Sequence, residues 1–429
     1  MTPTFASLHV RNFRLFVAGQ VVSNTGTWMQ RIAQDWLVLQ LTGGSGTALG
    51  VTTALQFLPL LLLSLWGGLL ADRFPKRWLL VLTQALMGLQ ALLLGLLVVA
   101  GVAQVWHVYA LALLLGVAAA LDTPARQSFV VEMVGPRDLP NAVALNSATF
   151  NLGRVFGPAV AGLLIGLIGT GPVFLVNAAS YLAVIAGLLL MRPRDLVPSP
   201  VTRRGEGTIR IGLRYVRERR DLVVGLVVVG IVGTVGFNFQ VTNALMATKV
   251  FGVGAKEFGL LSTAFAVGSL SGALLVARRG GRSHARPRLR DVIVLALAFG
   301  VLEAATGLAP TYPAYFVMLI PTGLLAIAFA TTANAFIQLG ADPQLRGRVM
   351  ALYTLVFMGG TPLGAPVIGW VAERFGPRVS LVGAGLLVMA LTGLTVVLLR
   401  PRAAPDLITA GGREAPESGL IAPRTATAG

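Results

Sequence analysis

Four ionisable side chains stand inside long apolar stretches of this sequence, where a charge is costly and usually serves a purpose. They are Arg31, Asp35, Arg154 and Glu303. Because Arg31 and Asp35 are four positions apart, a helix places them one above the other on a single face. Removal from water favours the neutral carboxyl of Asp35, whereas the neighbouring Arg31 favours its carboxylate. This opposition makes Asp35, with Arg31, a candidate for reversible protonation, and Glu303 is a second candidate. A purely structural Arg31–Asp35 ion pair is the alternative.

Polar residues also recur at helical spacing along three of the apolar stretches. The stripes are Asn24, Trp28, Arg31 and Asp35; Ser147, Asn151 and Arg154; and Thr331, Asn334 and Gln338. Such stripes are expected to face a shared aqueous cavity rather than lipid. The candidate cavity residues are Asn24, Trp28, Asn151, Arg154, Asn238 and Asn334. For Arg154 we keep two roles open, which are attraction of an anionic group and pairing with Asp35.

The elements that carry these residues are too apolar for a protein surrounded by water. Of 429 residues, 55% are hydrophobic and only 12% are charged, against about 25% charged in soluble domains. Twelve apolar blocks, from Leu15–Leu41 to Val379–Leu399, approach the ~20 residues that cross a bilayer as a helix. Long blocks, rather than short alternating runs, favour helices over a membrane barrel. The sequence therefore predicts an all-α membrane protein with twelve transmembrane helices.

The positive charge is distributed unevenly between the loops. The formal net charge is +17, and of the 34 Lys and Arg residues 28 fall on one side of the predicted membrane and four on the other. The positive-inside rule then predicts that both termini are cytoplasmic and that the protein lies in the cell (inner) membrane. Since no basic stripe is interleaved with aromatic residues, we do not expect nucleic acid to be a partner.

Other kinds of chemistry lack the residues they need. There is no cysteine, and the three histidines are far apart in sequence, so neither disulfides nor a metal site is expected. No GxxxxGK[ST] loop occurs, which argues against ATP as the direct energy source. We expect no cofactor, no enzymatic activity and no obligate protein partner.

The chain repeats itself at an offset of 207 residues. The matched pairs are Ala144–Ala351, Leu145–Leu352, Phe150–Phe357, Gly153–Gly360, Gly157–Gly364, Val160–Val367, Gly162–Gly369 and Gly169–Gly376. A repeat in the same orientation predicts two pseudo-symmetric six-helix bundles. The predicted organisation is a bundle over residues 1–191, a basic cytoplasmic linker over 192–221, a second bundle over 222–400 and a disordered cytoplasmic tail over 401–429. The linker contains an amphipathic stretch, for which docking on the anionic inner leaflet and simple solvation are both open.

The segment GGLLADRFPKRWLL between the second and third blocks carries a more specific pattern. Its residues Gly68, Asp72, Arg73, Lys76 and Arg77 resemble the loop 2–3 signature of the major facilitator superfamily, with Pro75 in place of a later glycine. The resemblance implies the major facilitator fold. It also implies that Asp72 and Lys76, with Asp122 as a third member, latch the two bundles at the inner face in the outward-facing state. The alternative is that the basic residues only hold the loop inside.

The fifth block contains GRVFGPAVAG, and its residues Gly153, Gly157, Pro158 and Gly162 resemble the exporter signature of the same superfamily. Glycines permit close backbone approach of another helix, and proline bends its own helix. Ordinary small-residue packing is the alternative. The segment DTPARQSF and the N-terminal stretch resemble a drug and siderophore exporter branch of this superfamily.

Together these features predict proton-coupled export of amphipathic small molecules, with small-molecule substrate, protons and the lipid bilayer as partners. In this scheme the two bundles rock around a central site, as an antiporter working by alternating access. A lysolipid flippase or a small-solute importer of the same fold is a second hypothesis. A membrane-bound receptor or enzyme is a third, and it predicts functional groups clustered on loops, which the short outer loops do not show.

Overall fold

The computed structural model describes residues 3–197, 208–282 and 287–399, and all regular structure within these ranges is helical. The predicted tail over 401–429 and part of the predicted linker lie outside them. The α-helices are α1 Arg11–Thr42, α2 Gly46–Arg73, α3 Lys76–Val99, α4 Val105–Ile168, α5 Thr170–Leu189, α6 Thr208–Glu218, α7 Arg220–Ile231, α8 Phe239–Leu245, α9 Ala255–Arg282, α10 Leu289–Gly307, α11 Tyr312–Gly340, α12 Arg346–Phe375 and α13 Pro377–Leu399.

Nine helices within the described ranges are long and apolar enough to cross a membrane, with α7, α8 and their flanking turns counted as one. Helices α1 and α10 are not among the nine, and they are the helices that carry Asp35 and Glu303. Helix α4 has 64 residues, a length of about 96 Å, against a hydrocarbon core of ~30 Å. It breaks at Gly135, whose φ of 70° is left-handed, between the fourth and fifth predicted blocks. The total of twelve spans stays a prediction.

The seventh predicted block, Leu222–Thr248, is expected from its sequence to be one continuous helix, but it is interrupted. Two π-helical turns, Val232–Gly236 and Met246–Val250, flank α8. At the first interruption the Asn238 side-chain amide donates to the carbonyls of Thr234 (2.8 Å) and Val235 (3.1 Å). The Asn238 side chain thus donates to carbonyls that backbone amides would bond in a continuous helix. Irregular backbone is tolerated at membrane depth only when its polar groups find such partners within the protein.

One pair of repeat-related glycines, Gly153 and Gly360, joins helices within the two halves of the molecule, one glycine in each half. We call α1–α5 the first half and α7–α13 the second half. A Cβ built on Gly153 would lie 2.9 Å from the backbone of Asn24 in α1, and one on Gly360 would lie 2.5 Å from the backbone of Gly233 beside α7. The equivalent glycines of α4 and α12 therefore pack against the first helix of their own half, in both halves.

A second pair of repeat-related glycines, Gly162 and Gly369, joins the halves to each other. Gly162 of α4 packs on the backbone of Ala255 in α9, and Gly369 of α12 packs on the carbonyl of Gly46 in α2. The Pro158 carbonyl in turn packs against Gly259. The sequence repeat therefore corresponds to a repeated set of helix contacts, because each glycine removes the side chain that would keep two backbones apart.

The two halves meet at the end of the molecule that carries residues 43–45, 252–254 and 376, which we call the closed end. There the Glu373 carboxylate accepts from the Ser45 hydroxyl and the Thr47 amide, both at 2.8 Å. One layer deeper, Trp36 of α1 stacks on Phe258 of α9 with centroids 6.3 Å apart. Contacts between the halves thus include polar bonds, apolar stacking and direct backbone packing.

The linker helix α6 lies against the second half. Gly212 packs on Arg348 of α12, and Val216 is 4% exposed. Leu213, three positions before Val216, is 48% exposed. The face of α6 that carries Gly212 and Val216 is therefore the covered one, and Leu213 lies outside it.

Candidate functional site

Two arginines from different helices lie over one tryptophan ring. The Arg31 guanidinium carbon is 4.6 Å from the Trp28 ring centroid, and that of Arg154 is 5.7 Å away. Arg31 also lies 5.3 Å from the ring of Phe57 in α2, and Phe150 packs edge-on against Trp28 at 5.7 Å. We call Trp28, Arg31 and Arg154 the arginine–tryptophan cluster.

The cluster forms because α4 approaches α1 closely at Gly157. A Cβ built on Gly157 would lie 2.5 Å from the Trp28 Cβ and 2.9 Å from the Thr25 carbonyl. Any larger residue would push α4 away and carry Arg154 with it. One glycine of the predicted exporter signature therefore positions the cluster.

The guanidinium groups of this cluster have unused hydrogen-bond donors. Within the described ranges, neither Arg31 nor Arg154 makes a hydrogen bond, nor an ion pair within 4.0 Å. Only the Nε of Arg31 is enclosed, so its terminal nitrogens and the guanidinium of Arg154 keep accessible surface. Neither arginine is paired with Asp35, although Arg31 is near enough to act on it electrostatically.

Asp35 connects the two halves. Its side chain is 0% exposed, and its Oδ1 accepts a hydrogen bond of 3.0 Å from the Gln240 amide of α8. Its Oδ2 is enclosed and has no partner in the described part of the chain. Sequence reasoning missed Gln240. It could have been found from the polar residues that recur between Asn238 and Asn243 in an otherwise apolar block.

Glu303 is also enclosed, but it lies in the second half and away from the cluster. It is 1% exposed, and among the described residues it has neither a hydrogen bond nor an ion pair. Its Oε2 faces the interrupted helix, since a Cβ built on Gly236 would lie 3.2 Å from it. Asn238, on the same interruption, is 3% exposed and has an enclosed Oδ1 without a partner in the described ranges.

The remaining cavity candidates are divided between the halves. Asn24, 7% exposed, precedes Trp28 by one turn and packs on Gly153. Asn151 is half-buried and donates to the Ser147 carbonyl at 2.8 Å. Asn334 is half-buried on α11, where its side chain contacts the Tyr353 hydroxyl. The structure thus gathers Asn24 and Asn151 around the arginine–tryptophan cluster and leaves Asn238 and Asn334 in the second half.

The loop between α2 and α3 lies at the end opposite the closed end. Asp72 and Arg73 are exposed, and Gly68 is half-buried. The Lys76 ammonium donates to the Glu132 carboxylate of α4 at 2.6 Å. Glu132, which sequence reasoning missed, therefore pairs with one predicted latch residue within the first half.

Asp122 is a buried junction of three helices. It is 1% exposed and accepts from the Thr83 hydroxyl (2.9 Å), the Gln84 amide (2.8 Å) and Arg126 Nε (2.8 Å). Arg126 also donates to Gln20 of α1 at 2.8 Å. Every hydrogen-bond partner found for Asp122 in the described ranges belongs to the first half, and Asp72 is not one of them.

Comparison with known protein families decides what these helices form. The model of a major facilitator family, described as a transmembrane secretion effector, matches residues 2–419. The chain belongs to this family. As a major facilitator transporter it is not an enzyme, and its substrates are small molecules.

Characterised relatives of this transporter span nearly its whole length. The staphyloferrin A transporter of Staphylococcus aureus is 24% identical, covering 85% of this chain and 90% of its own. The multidrug efflux pump Tap of Mycobacterium tuberculosis is 27% identical, with 90% and 92% covered. The enterobactin exporter EntS of Shigella boydii is 27% identical, with 80% and 82% covered.

Solved structures show the same fold at lower sequence identity. A bacterial homologue of the human lysosomal transporter Spinster, in an inward-facing and occupied conformation, matches with a TM-score of 0.71 at 16% identity, covering 94% of this transporter and 98% of that chain. A D-xylose–proton symporter matches with a TM-score of 0.70 at 14% identity, with 89% and 96% covered. The predicted all-α major facilitator fold is therefore confirmed.

Proposed function

We propose that this transporter exports amphipathic small molecules in exchange for protons, by alternating access between its two halves. Its relatives include a multidrug efflux pump and an exporter of the siderophore enterobactin, which supports the outward direction. The observation that carries the proton coupling is the position of Asp35, a fully enclosed carboxyl whose only hydrogen bond in the described ranges crosses from one half to the other.

The protonation state of Asp35 changes the strength of that crossing bond. A carboxylate accepts a stronger hydrogen bond than a neutral acid does, roughly by a factor of two. Burial without a full set of partners costs more for the carboxylate than for the acid. When the closed end separates, Asp35 meets water and exchanges its proton there. Proton binding and the closure of this end are therefore linked through one residue.

The opposite end requires its own contact when it closes. We propose that Asp72, Arg73 and Lys76, with Gly68 in the preceding turn, then form the latch, while Asp122 holds the underlying helices together. The exposure of Asp72 supports this role, since it leaves the carboxylate available to the second half. The Lys76–Glu132 bond is the contact that would be exchanged. In this arrangement both termini and the linker over 192–221 lie in the cytoplasm.

The experiment uses everted membrane vesicles that hold a proton gradient reported by a quenched dye. Addition of transported compounds, chosen from a panel of drugs, siderophores and lysolipids, is expected to dissipate the gradient with the wild-type protein. Asp35→Asn removes the titrating group and keeps the acceptor for Gln240, so dissipation is expected to fall at least tenfold. Asp138→Asn, at a partly exposed aspartate, is the matched control.

The result also separates the alternatives. Accumulation of a compound on the cytoplasmic face, driven by the same gradient, would identify an importer. Response to lysolipids alone would identify a flippase. Unchanged substrate-dependent proton movement in Asp35→Asn would remove the assigned coupling residue, provided that the variant elutes as a single species from size-exclusion chromatography.

A further inference from the structure

We propose that the arginine–tryptophan cluster is a binding subsite for an acidic group, so that the preferred substrates are amphipathic anions such as aryl or alkyl carboxylates and phosphate esters. This inference rests on the proposed transport function and assigns its substrate class. It starts from an imbalance of charge, because two guanidinium groups approach one indole ring from α1 and α4 and neither is neutralised by an ion pair in the described ranges.

The indole ring compensates only part of this positive charge. A cation over an aromatic face is attracted by the ring but is not neutralised by it, while the two guanidinium groups act on each other as like charges. Asp35 acts on Arg31 from one turn away without bonding to it, and its Oδ1 is occupied by Gln240. Even an ionised Asp35 leaves the cluster with a net positive charge, and an anion between the two arginines is the missing counter-charge.

The donors of the cluster are free and accessible. No ion pair within the described ranges involves Arg31 or Arg154, and no hydrogen bond found there uses their guanidinium groups. Guanidinium groups bind carboxylates and phosphates through paired N–H donors, which are stronger than neutral hydrogen bonds. Phe57 and Phe150 flank the same place with apolar surface. The site therefore matches a molecule with an acidic head and an apolar or aromatic body.

The cluster faces away from lipid. A groove on the outside of the first half is lined by Val22 of α1 and Val176 of α5, and Val22 is 49% exposed. Arg31 follows Val22 by nine positions, which at about 100° per residue places it on the opposite side of α1. Asp35 is nearly on the same side as Arg31 and contacts the second half. The free donors thus point toward the space between the halves, where a transported molecule passes.

The test is direct binding to the purified full-length protein in detergent, with pyrenebutyrate and pyrenebutylamine as probes. The two probes share an apolar body and differ in the sign of their charge. Wild-type protein is expected to bind the anionic probe at least tenfold more tightly. Arg31→Gln and Arg154→Gln are each expected to weaken pyrenebutyrate binding roughly tenfold or more and to leave pyrenebutylamine binding within twofold. Arg14→Gln, at an exposed arginine of the same helix, is expected to change neither.

Competition identifies the source of the acidic group. Displacement of pyrenebutyrate by citrate indicates a soluble carboxylate, and displacement only by lysophosphatidylglycerol indicates a lipid headgroup; both support an anion subsite. Equal binding of the two probes by wild-type protein, or an unchanged preference in both arginine variants, overturns the proposal. Because binding is measured without a gradient, a protein that binds anions but moves no protons rejects the proposed proton coupling and leaves the anion-binding subsite standing.

Discussion

Glu303 is an acid enclosed in the second half with no partner among the described residues. A buried polar group without a partner costs about 1–3 kcal/mol. Glu303→Met keeps a side chain of similar length and removes this cost. We therefore expect the free energy of unfolding to rise by about 1–3 kcal/mol, measured as a higher unfolding temperature in detergent. Glu218→Met, at a residue 68% exposed in a surface pair, is expected to change stability little. A clear loss of stability in Glu303→Met would show that the carboxyl has a stabilising partner.

Asp122 has the opposite character, because its hydrogen bonds join α3 to α4 and hold Arg126, which in turn donates to Gln20 of α1. Asp122→Ala leaves Arg126, 21% exposed, without its carboxylate. Breaking a buried pair by removing one partner costs about 3–5 kcal/mol, so a large fall in unfolding temperature is expected. Asp138→Ala, at a more exposed aspartate, serves as the comparison. If both variants unfold at the same temperature, Asp122 does not have the structural role assigned here.

For single residues, the sequence predicted which polar and ionisable side chains lie within apolar helices, but not which residues they contact. Helical spacing placed Trp28, Arg31 and Asp35 on one face, and that is where they lie. The spacing did not predict that the Arg31 guanidinium lies over Trp28 instead of pairing with Asp35. Nor did it predict that Arg154 reaches the same ring, because that contact depends on the approach of α4. Gln240 and Glu132 were missed for the same reason, since their partners are more than 50 positions away.

Helix contacts at the closed end depend on glycines that leave no space for a side chain. Gly162 and Gly166 lie one turn apart on α4, but a Cβ built on Gly162 would be 2.6 Å from the Ala255 carbonyl, whereas one on Gly166 has nothing within 4 Å. Gly162→Val is therefore expected to separate α4 from α9. The conformational equilibrium should then shift toward the state in which the closed end is open. Gly166→Val carries the same change in helix propensity and is the matched control.

Spin labels measure this shift, and the absence of native cysteines removes background labelling. Cysteines at Leu167 and Leu308, which are 71% and 67% exposed, report the distance between the halves at the closed end. Gly162→Val is expected to move the distance distribution to longer values by several ångströms, and Gly166→Val is expected to leave it unchanged. Identical distributions in the two variants would mean that the α4–α9 contact does not control closure.

The helices themselves were the most predictable part of the structure, because twenty apolar residues in lipid have few alternatives to a helix. The spacing of Gly153, Gly157 and Gly162 and its copy 207 residues later also anticipated a repeated contact. The π-helical interruptions beside α8 were not predicted, since Val, Thr and Gly in that stretch are equally compatible with a regular transmembrane helix. There the tertiary environment and the Asn238 side chain decide the backbone.

The orientation of the whole transporter is a prediction from charge alone. Single cysteines at Arg203 and Arg413 are expected to react with a membrane-impermeant maleimide in everted vesicles and not in right-side-out ones. A cysteine at Trp106, 60% exposed near the start of α4, is expected to show the reverse. The physical reason is the 28-to-4 division of basic residues, which opposes transfer of the basic loops across the membrane. Labelling of Arg203→Cys from outside would contradict the assigned topology.

The backbone packing of Gly46 on Gly369 and of Gly162 on Ala255 has a consequence for energy conservation in the cell. Where the halves touch through main chain, rotation of a side chain cannot open a gap between them, whereas a contact between leucines or phenylalanines can open in this way on the nanosecond timescale. We therefore expect these two contacts to limit the leak of hydronium and small inorganic ions through the closed end. Under the proposed proton coupling, this packing preserves the electrical insulation of the membrane, so that little of the proton gradient is lost without transport.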